Sequence, residues 1–252
     1  MNELKIAEIF GPTIQGEGPN VGARCIFVRV KGCSFKCSWC DSKFTWNDHD
    51  SDCTAYTPVE IAEHLRKLHL ESNCNRIVLT GGNPCIYDFT YVIETLSAEG
   101  IHFDVETQGD LIPNWLTLLD TAVFSPKPPS SGMPDSYDNI INYILNNKHV
   151  NQTVAIKIPV FNDYDIAFAR NYAKFINSFN DNNKCNSDCH LNVKMYLSVG
   201  NSDVNTHEAI RDRVLADYEE LLCRINGDNR DFQNVFILPQ LHTLVWGNKQ
   251  GV

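Results

Sequence analysis

Short apolar runs alternate with longer stretches of helical periodicity through most of the chain. RIVLT (76–80), HFDVE (102–106), AVFS (122–125), TVAIKI (153–158), NVKMYLSV (192–199) and NVFILP (234–239) read as strands. Each is short, rich in β-branched or aromatic residues and bounded by turn formers. Between them, residues 86–99, 135–147, about 163–179 and about 206–225 read as helices. Earlier, LKIAEIF (4–10) and RCIFVRV (24–30) read as strands, and GPTIQGEGP (11–19) between them reads as a loop by its glycines and prolines. Thr57-Pro58-Val59-Glu60 marks a helix start, with Thr57 as N-cap and Pro58 in the first turn, and the helix runs to about Leu70. Residues 43–57, with Asp48, His49, Asp50 and Asp52, read as a polar surface insertion, and the Asn/Asp-rich piece 177–190 as a surface loop.

Strands alternating with helices build βαβ units and a mainly parallel sheet. In such folds the loops after the strands' C-terminal ends line the active site. Here the polar, glycine- and proline-rich loops fall after residues 30, 80, 106, 125 and 239. The expected architecture is α/β: a partial, distorted β/α barrel with a mainly parallel sheet around one pocket, formed by residues 1–252 as a single domain.

Composition narrows the function. With 252 residues, 43% of them hydrophobic, the chain can bury a sizeable core. A formal net charge of −10 argues against holding nucleic acid by bulk electrostatics and leaves a small molecule as the expected substrate. No apolar run is long enough for a membrane span, and the N-terminus lacks the basic flank and apolar stretch of a signal peptide. Ten cysteines could suggest a disulfide-rich secreted protein, but the chain is too long and core-rich for that class, so a cytoplasmic location is expected.

The chemistry concentrates in the loops. Gly32 to Ser42, GCSFKCSWCDS, carries Cys33, Cys37 and Cys40 in a Cys-x3-Cys-x2-Cys array. Three thiolates at that spacing can hold three corners of a [4Fe–4S] cluster, leaving the fourth iron open to a small molecule. Structural zinc is the plainer reading of clustered cysteines, but it wants four ligands in paired knuckles. Gly81 and Gly82 follow a strand directly and let a ligand approach the backbone, although a plain strand-to-helix turn uses the same residues. Glu106, at the next strand end, can accept bonds from an ammonium or a ribose, or simply cap a turn. Ser125, Pro126 and Lys127 open a stiff loop, SPKPPSSG, that projects polar groups. Gln15 and Glu17 make the loop 11–19 either a binding loop or an ordinary polar turn. Arg29 is either a surface charge or a clamp for a carboxylate, whose two oxygens its guanidinium can hold at once. Cys185, Cys189 and His190 offer too few ligands for a second metal site. Cys25, Cys53, Cys74, Cys85 and Cys223 read as buried or incidental thiols, and His242 as structural.

The cysteine array, with the aromatic Trp39 just before its third member, resembles the radical S-adenosylmethionine (SAM) superfamily. IQGEG, FVRVKGC, CSWCDS, TGGNP, ETQG, SPKPPSSG and LPQLHTLVWGNKQGV together resemble the 7-carboxy-7-deazaguanine synthase family within it. The likeness spans nearly the whole chain except 43–57 and 177–190. It departs at Asn83, where radical SAM loops carry Glu, and at Ser42, where many relatives have Thr. The resemblance implies a lyase of queuosine precursor (7-deazapurine) biosynthesis. Such an enzyme contracts the ring of 6-carboxy-5,6,7,8-tetrahydropterin, with loss of ammonia. It implies a [4Fe–4S] cluster on Cys33, Cys37 and Cys40, with SAM on its fourth iron. It implies SAM contacts from Trp39, Cys40, Asp41, Gly81, Gly82, Glu106, Ser125, Pro126 and Lys127. Ile14, Gln15, Gly16, Glu17, Arg29, Thr80 and Val252 match its substrate contacts, and Ser42 matches its Mg2+ position, where a hydroxyl suits a hard ion. It further implies a homodimer and an electron donor such as a flavodoxin or ferredoxin. Two other readings stand beside it: a radical SAM activase acting on a partner protein, and a non-enzymatic metal-binding module.

Overall fold

The structure, a computed structural model, describes residues 3–47, 53–184, 186–201, 209–227, 231–247, 249 and 251. Nine strands form one sheet: β1 (Leu4–Ile14), β2 (Arg24–Val30), β3 (Thr54–Tyr56), β4 (Arg76–Gly81), β5 (His102–Thr107), β6 (Thr121–Phe124), β7 (Thr153–Val160), β8 (Asn192–Val199) and β9 (Val235–Leu238). The spatial order is β3-β1-β2-β4-β5-β6-β7-β8-β9. β1 is antiparallel to both β2 and β3, whereas every pair from β2 to β9 is parallel. β3 and β9 end the sheet without meeting, so the barrel expected from the alternation stays open.

The connecting helices are α1 (Pro58–Ser72), α2 (Thr90–Ser97), α3 (Tyr137–Asn146), α4 (Asp163–Asn183) and α5 (Ala209–Gly227), followed by α6 (Leu241–Trp246). α1 to α5 contribute to the core on one face of the sheet. On β7, Val154, Ile156 and Ile158 join Ala169 and Ile176 of α4 in the main core. The alternate residues Ala155 and Lys157 face the other way, where Ala155 packs with Val123 and Tyr196. That concave face carries the polar groups described below.

Local chemistry sets most boundaries. α1 starts in a complete capping box: Thr57 Oγ1 accepts from the Glu60 N–H at 3.3 Å, and Glu60 Oε2 accepts from the Thr57 N–H at 2.8 Å. Four expectations need correction. The piece 43–57, expected to be a surface insertion, supplies β3 to the sheet, buries Thr45 and puts Phe44 and Trp46 in a cavity wall. β1 continues through Gly11–Ile14, four residues expected to be loop, with an irregularity between Phe10 and Thr13 that accommodates Pro12. Gly11 has φ +122°, and a Cβ there would lie 2.8 Å from the Cys25 carbonyl oxygen, so only glycine fits. The helix expected over 86–99 begins at Thr90, because Asn83 and Pro84 first form a 3-10 turn over Pro84–Ile86. α4 runs on to Asn183, into the stretch expected to be loop, because its buried stripe continues through Ile176 and Phe179. Asn180 also ties that stretch to β8 by donating to the Val193 carbonyl at 3.1 Å.

Candidate active site

A cavity of about 350 Å3 opens at the C-terminal ends of the parallel strands. Its wall includes Cys33, Cys37 and Cys40 and residues from the loops after β4, β5 and β6, together with the end of β1.

The cluster loop is held from two sides. Gly82 donates its N–H to the Val30 carbonyl at 3.1 Å, and the Asn83 N–H reaches the Gly32 carbonyl at 2.9 Å. A Cβ on Gly82 would lie 1.9 Å from that Gly32 oxygen, and one on Gly81 would lie 2.4 Å from the Val30 nitrogen. The paired glycines therefore let the two loops touch, as well as exposing backbone to the cavity. On the other side, Trp39 Nε1 donates to Ser130 Oγ at 3.0 Å, and the Ser38 N–H donates to the Ser131 carbonyl at 3.0 Å. The proline-rich loop after β6 is thus a brace for the cluster loop.

The donor set suits a cluster. The three cysteines stand close enough that charge on Cys40 raises the affinity of both others for their protons. Burial pushes the Cys37 thiol up to about 11, opposed by the Lys127 ammonium. Burial raises Cys33 as well, opposed by N–H donors from Phe35 and Gln108 and by Lys127. Trp46 Nε1 donates to Cys40 Sγ at 3.3 Å. Bound iron supplies the charge that holds such thiols deprotonated, and N–H donors to the sulfurs tune the cluster. Among the described residues no group of three His, Cys, Asp or Glu converges on a single ion site.

Lys127 lies 5.7 Å from the centroid of the Trp39 ring and donates to Ser125 Oγ at 3.2 Å. Phe161 packs on the same ring, with centroids 4.9 Å apart, and fills the space that a side chain at Gly200 would need. Trp39, Asp41, Gly81, Gly82, Ser125 and Lys127 all line the cavity, whereas Pro126 is buried outside its lining.

Ile14, Gln15, Gly16 and Glu17 also line the cavity, with Arg29, Ser42 and Thr80. Arg29 Nε donates to Glu8 Oε1 at 2.7 Å, and its guanidinium lies 5.5 and 5.8 Å from the Phe10 and Phe44 ring centroids. Its Nη1 reaches Ser42 Oγ at 3.4 Å, and Ser42 Oγ donates to Asp41 Oδ1 at 2.9 Å. Glu106 joins this group. Its carboxylate accepts from Gln15 Nε2 and from Thr80 Oγ1, each at 3.2 Å. Val252, Cys185 and residues 48–52 lie outside the described residues, but Lys249 and Gly251 line the cavity.

Sequence reasoning missed the centre of this wall. Lys157 Nζ lies 2.6 Å from Glu17 Oε2 and 3.4 Å from Glu106 Oε1. Burial raises the Glu17 pKa, but Lys157, the nearby His242 and the bonds from Lys157 and Gln240 outweigh it and bring it down to about 2. Burial likewise opposes the Lys157 charge, yet Glu106 and Glu17 raise its pKa above the ordinary lysine value. A lone lysine inside the apolar run TVAIKI was the available signal. α6 was missed because six residues are too few to show a period. It closes on the loop after β1: the Leu241 N–H donates to the Gly16 carbonyl at 3.0 Å, and Gln240 Nε2 donates to Glu17 Oε1 at 3.0 Å. A Cβ on Gly16 would collide with His242 Nδ1 at 2.0 Å. Asn83, at the departure from the usual loop, is fully buried and structural. It accepts from Thr107 Oγ1 at 2.9 Å and donates to Asp110 Oδ1 at 2.9 Å.

The Radical SAM superfamily pattern matches residues 27–154, the segment from β2 to the start of β7. The 7-carboxy-7-deazaguanine synthase of Bacillus subtilis is 37% identical over 256 residues, covering 99% of this chain and 98% of the relative. That of Bacillus cereus is 34% identical over 259 residues, covering all of both chains. Among solved structures, QueE from Escherichia coli matches with a TM-score of 0.61 at 21% identity, covering 95% of each chain. SuiB from Streptococcus suis matches with a TM-score of 0.54 at 16% identity, over 85% of this chain and 49% of its own. The latter two likenesses speak for the fold, and the open parallel sheet agrees with them. Full-length similarity at 37% identity, on a chain whose three cysteines share one cavity with a Gly-Gly loop, makes this an enzyme of the 7-carboxy-7-deazaguanine synthase family of the radical SAM superfamily.

Proposed function

We propose that this chain converts 6-carboxy-5,6,7,8-tetrahydropterin to 7-carboxy-7-deazaguanine with loss of ammonia, as a step toward a 7-deazapurine such as the queuosine precursor. The supporting observation is that the three cysteines and the polar wall of Gln15, Glu17, Arg29, Thr80 and Glu106 face one cavity of about 350 Å3. A volume near 300 Å3 or above suits a bicyclic substrate beside a cofactor. Two carboxylates, a carboxamide, a hydroxyl and a guanidinium match a substrate with N–H donors at one end and a carboxylate at the other.

Cys33, Cys37 and Cys40 would hold the [4Fe–4S] cluster, and the Gly81–Gly82 backbone, Trp39, Asp41, Ser125 and Lys127 would hold SAM. When bound, cluster and SAM would supply the one-electron chemistry that removes a hydrogen atom from the substrate. The protein's part is placement. Arg29, oriented by Glu8 and two aromatic rings, would grip the substrate carboxylate. Gln15, Glu17 and Thr80 would hold the ring nitrogens, and the Trp39–Phe161 pair would keep water from the reacting carbon. Glu106 bonds to the substrate-side groups Gln15 and Thr80, so it would serve that side as well as the SAM ammonium. Ser42 and Asp41 would offer oxygens to Mg2+. Pro126 would stiffen the SAM loop from behind. The reading takes residues 1–252 as one domain of a cytoplasmic homodimer fed by a flavodoxin or ferredoxin.

The test is anaerobic incubation of iron-loaded protein with SAM, a reductant, Mg2+ and the carboxytetrahydropterin, with mass analysis of products. The deazapurine acid and ammonia are expected. Cleavage of SAM with the pterin left intact would reject the substrate. About four irons and four sulfides per chain, lost in Cys33→Ala but kept in Cys223→Ser, are expected alongside.

A further inference from the structure

Lys157 is the one ammonium that bridges two carboxylates of the cavity wall among the described residues. The fold does not ask for it. It sits in the middle of β7 between Ile156 and Ile158, both fully buried, at a position where an apolar residue would continue the strand. Buried ion pairs contribute little net stability compared with apolar residues of the same size. Their value lies in what they orient.

The geometry around Lys157 is specific. Glu17 comes from the loop after β1, Glu106 from the end of β5 and Lys157 from β7. Lys157 bonds both carboxylates, and Gln15 donates to Glu106 while its carboxamide oxygen accepts from the Glu17 backbone N–H at 3.2 Å. The other charged groups that bear on the three are Asp41 of the cluster loop and His242 of α6. Two carboxylates against one ammonium leave a net negative charge on the wall. Each ionised carboxylate has about four acceptor sites. Glu17 accepts from Lys157 and Gln240, and Glu106 accepts from Lys157, Gln15 and Thr80. Sites therefore remain on both acids. A flat ligand edge carrying adjacent N–H groups, such as the amide and amine of a pterin, satisfies carboxylate acceptors in pairs.

We infer that Lys157 is a positioning residue, whose ammonium holds Glu17 and Glu106 side by side as paired acceptors for the N–H-bearing edge of the substrate. The inference rests on the pterin reading given above and adds the residue that sets up recognition. Without the ammonium, Glu17 would be a buried carboxylate short of a partner. It would take up a proton more readily and turn from acceptor to donor toward that edge.

The experiment compares wild type, Lys157→Met, Glu17→Gln and the Lys157→Met/Glu17→Gln double variant at equal iron loading. Dissociation constants for SAM and for 6-carboxy-5,6,7,8-tetrahydropterin are measured by anaerobic equilibrium dialysis across pH. In Lys157→Met the pterin should bind at least about tenfold more weakly, and SAM, which meets only Glu106 of the pair, should be weakened clearly less. Its pterin affinity should fall further as pH drops from about 8 to about 6, as a raised carboxylate pKa requires. That pH dependence should vanish in the double variant, which has no carboxylate at position 17 to titrate. The double variant also covers the case in which Lys157→Met alone fails to fold, since the carboxylate at position 17 is gone and Glu106 keeps its bonds from Gln15 and Thr80. It should still lose much more affinity for the pterin than for SAM. Wild-type pterin affinity in either Lys157 variant overturns the inference, as does an equal loss of SAM and pterin binding in the double variant. If wild type itself neither binds nor turns over the pterin, the proposed function falls instead.

Discussion

Gly82 rests against the carbonyl of Gly32, so close that a Cβ on Gly82 would stand 1.9 Å from the oxygen. The contact joins the loop after β4 to the first residue of the cluster loop, and the neighbouring Asn83 N–H bonds the same carbonyl at 2.9 Å. Gly82→Ala must push these loops apart, because the obstacle is backbone and cannot rotate away. Overpacking of this kind costs about 1–3 kcal/mol. Expected are a lower unfolding midpoint and loss of SAM binding, with the fold retained by circular dichroism. A Gly82→Ala protein that binds SAM normally would show that the loops can part without harm.

Arg29 was legible as a candidate clamp, but its orientation came from residues far apart in sequence. Glu8 takes its Nε–H at 2.7 Å, while Phe10 and Phe44 flank the guanidinium. Lysine has neither the planar face for those rings nor two donors in fixed geometry. Arg29→Lys should weaken pterin binding by roughly 1–3 kcal/mol while SAM cleavage without substrate stays near wild type. Unchanged pterin affinity with impaired SAM cleavage would move Arg29 to the cofactor side.

What the sequence made legible follows from length scale. The strand RCIFVRV, the capped start of α1 and the cysteine array each declare themselves within a few neighbouring residues, and each lies where expected. The concave wall does not, because its members meet only after folding. Glu17 and Lys157 are 140 residues apart, and Glu17 and Gln240 are 223 apart. Glu106 was read at a strand end as an acceptor for an ammonium or a ribose, or as a turn cap, and its bonds to Gln15 and Lys157 come only from the sheet order. α4 outran its expected end because Asn and Asp at 177–183 look like loop formers until Phe179 is seen to be buried.

Glu17 also makes a pH prediction. Its pKa is held near 2, against an ordinary 4.5: burial acts to raise it, but Lys157, His242 and hydrogen bonds prevail. A depressed carboxylate stabilises the fold above the unfolded-state value and loses that contribution as pH falls from about 4.5 toward 2. In this window wild type should lose stability more steeply than Glu17→Gln, by up to about 1.4 kcal/mol per pH unit. Urea unfolding of both proteins in steps between those limits checks the difference. Parallel stability curves would mean that the folded and unfolded pKa values coincide.

Ser42 supplies the last prediction. Its hydroxyl sits between Asp41, to which it donates at 2.9 Å, and the Arg29 guanidinium at 3.4 Å. Mg2+ takes oxygen ligands in a tight octahedron and keeps several waters, so a hydroxyl and a carboxylate on the wall can suffice when the substrate adds a carboxylate. On this account the ion links Ser42 to the group that Arg29 grips. Ser42→Ala should then abolish any stimulation of turnover by Mg2+ and weaken pterin binding only when Mg2+ is present. Ser42→Thr keeps the oxygen and should respond like wild type. Titrating Mg2+ against pterin affinity separates the roles. A Ser42→Ala protein with undiminished Mg2+ response would remove Ser42 from the metal, and equal weakening with and without Mg2+ would reduce it to a hydrogen-bond partner of Arg29.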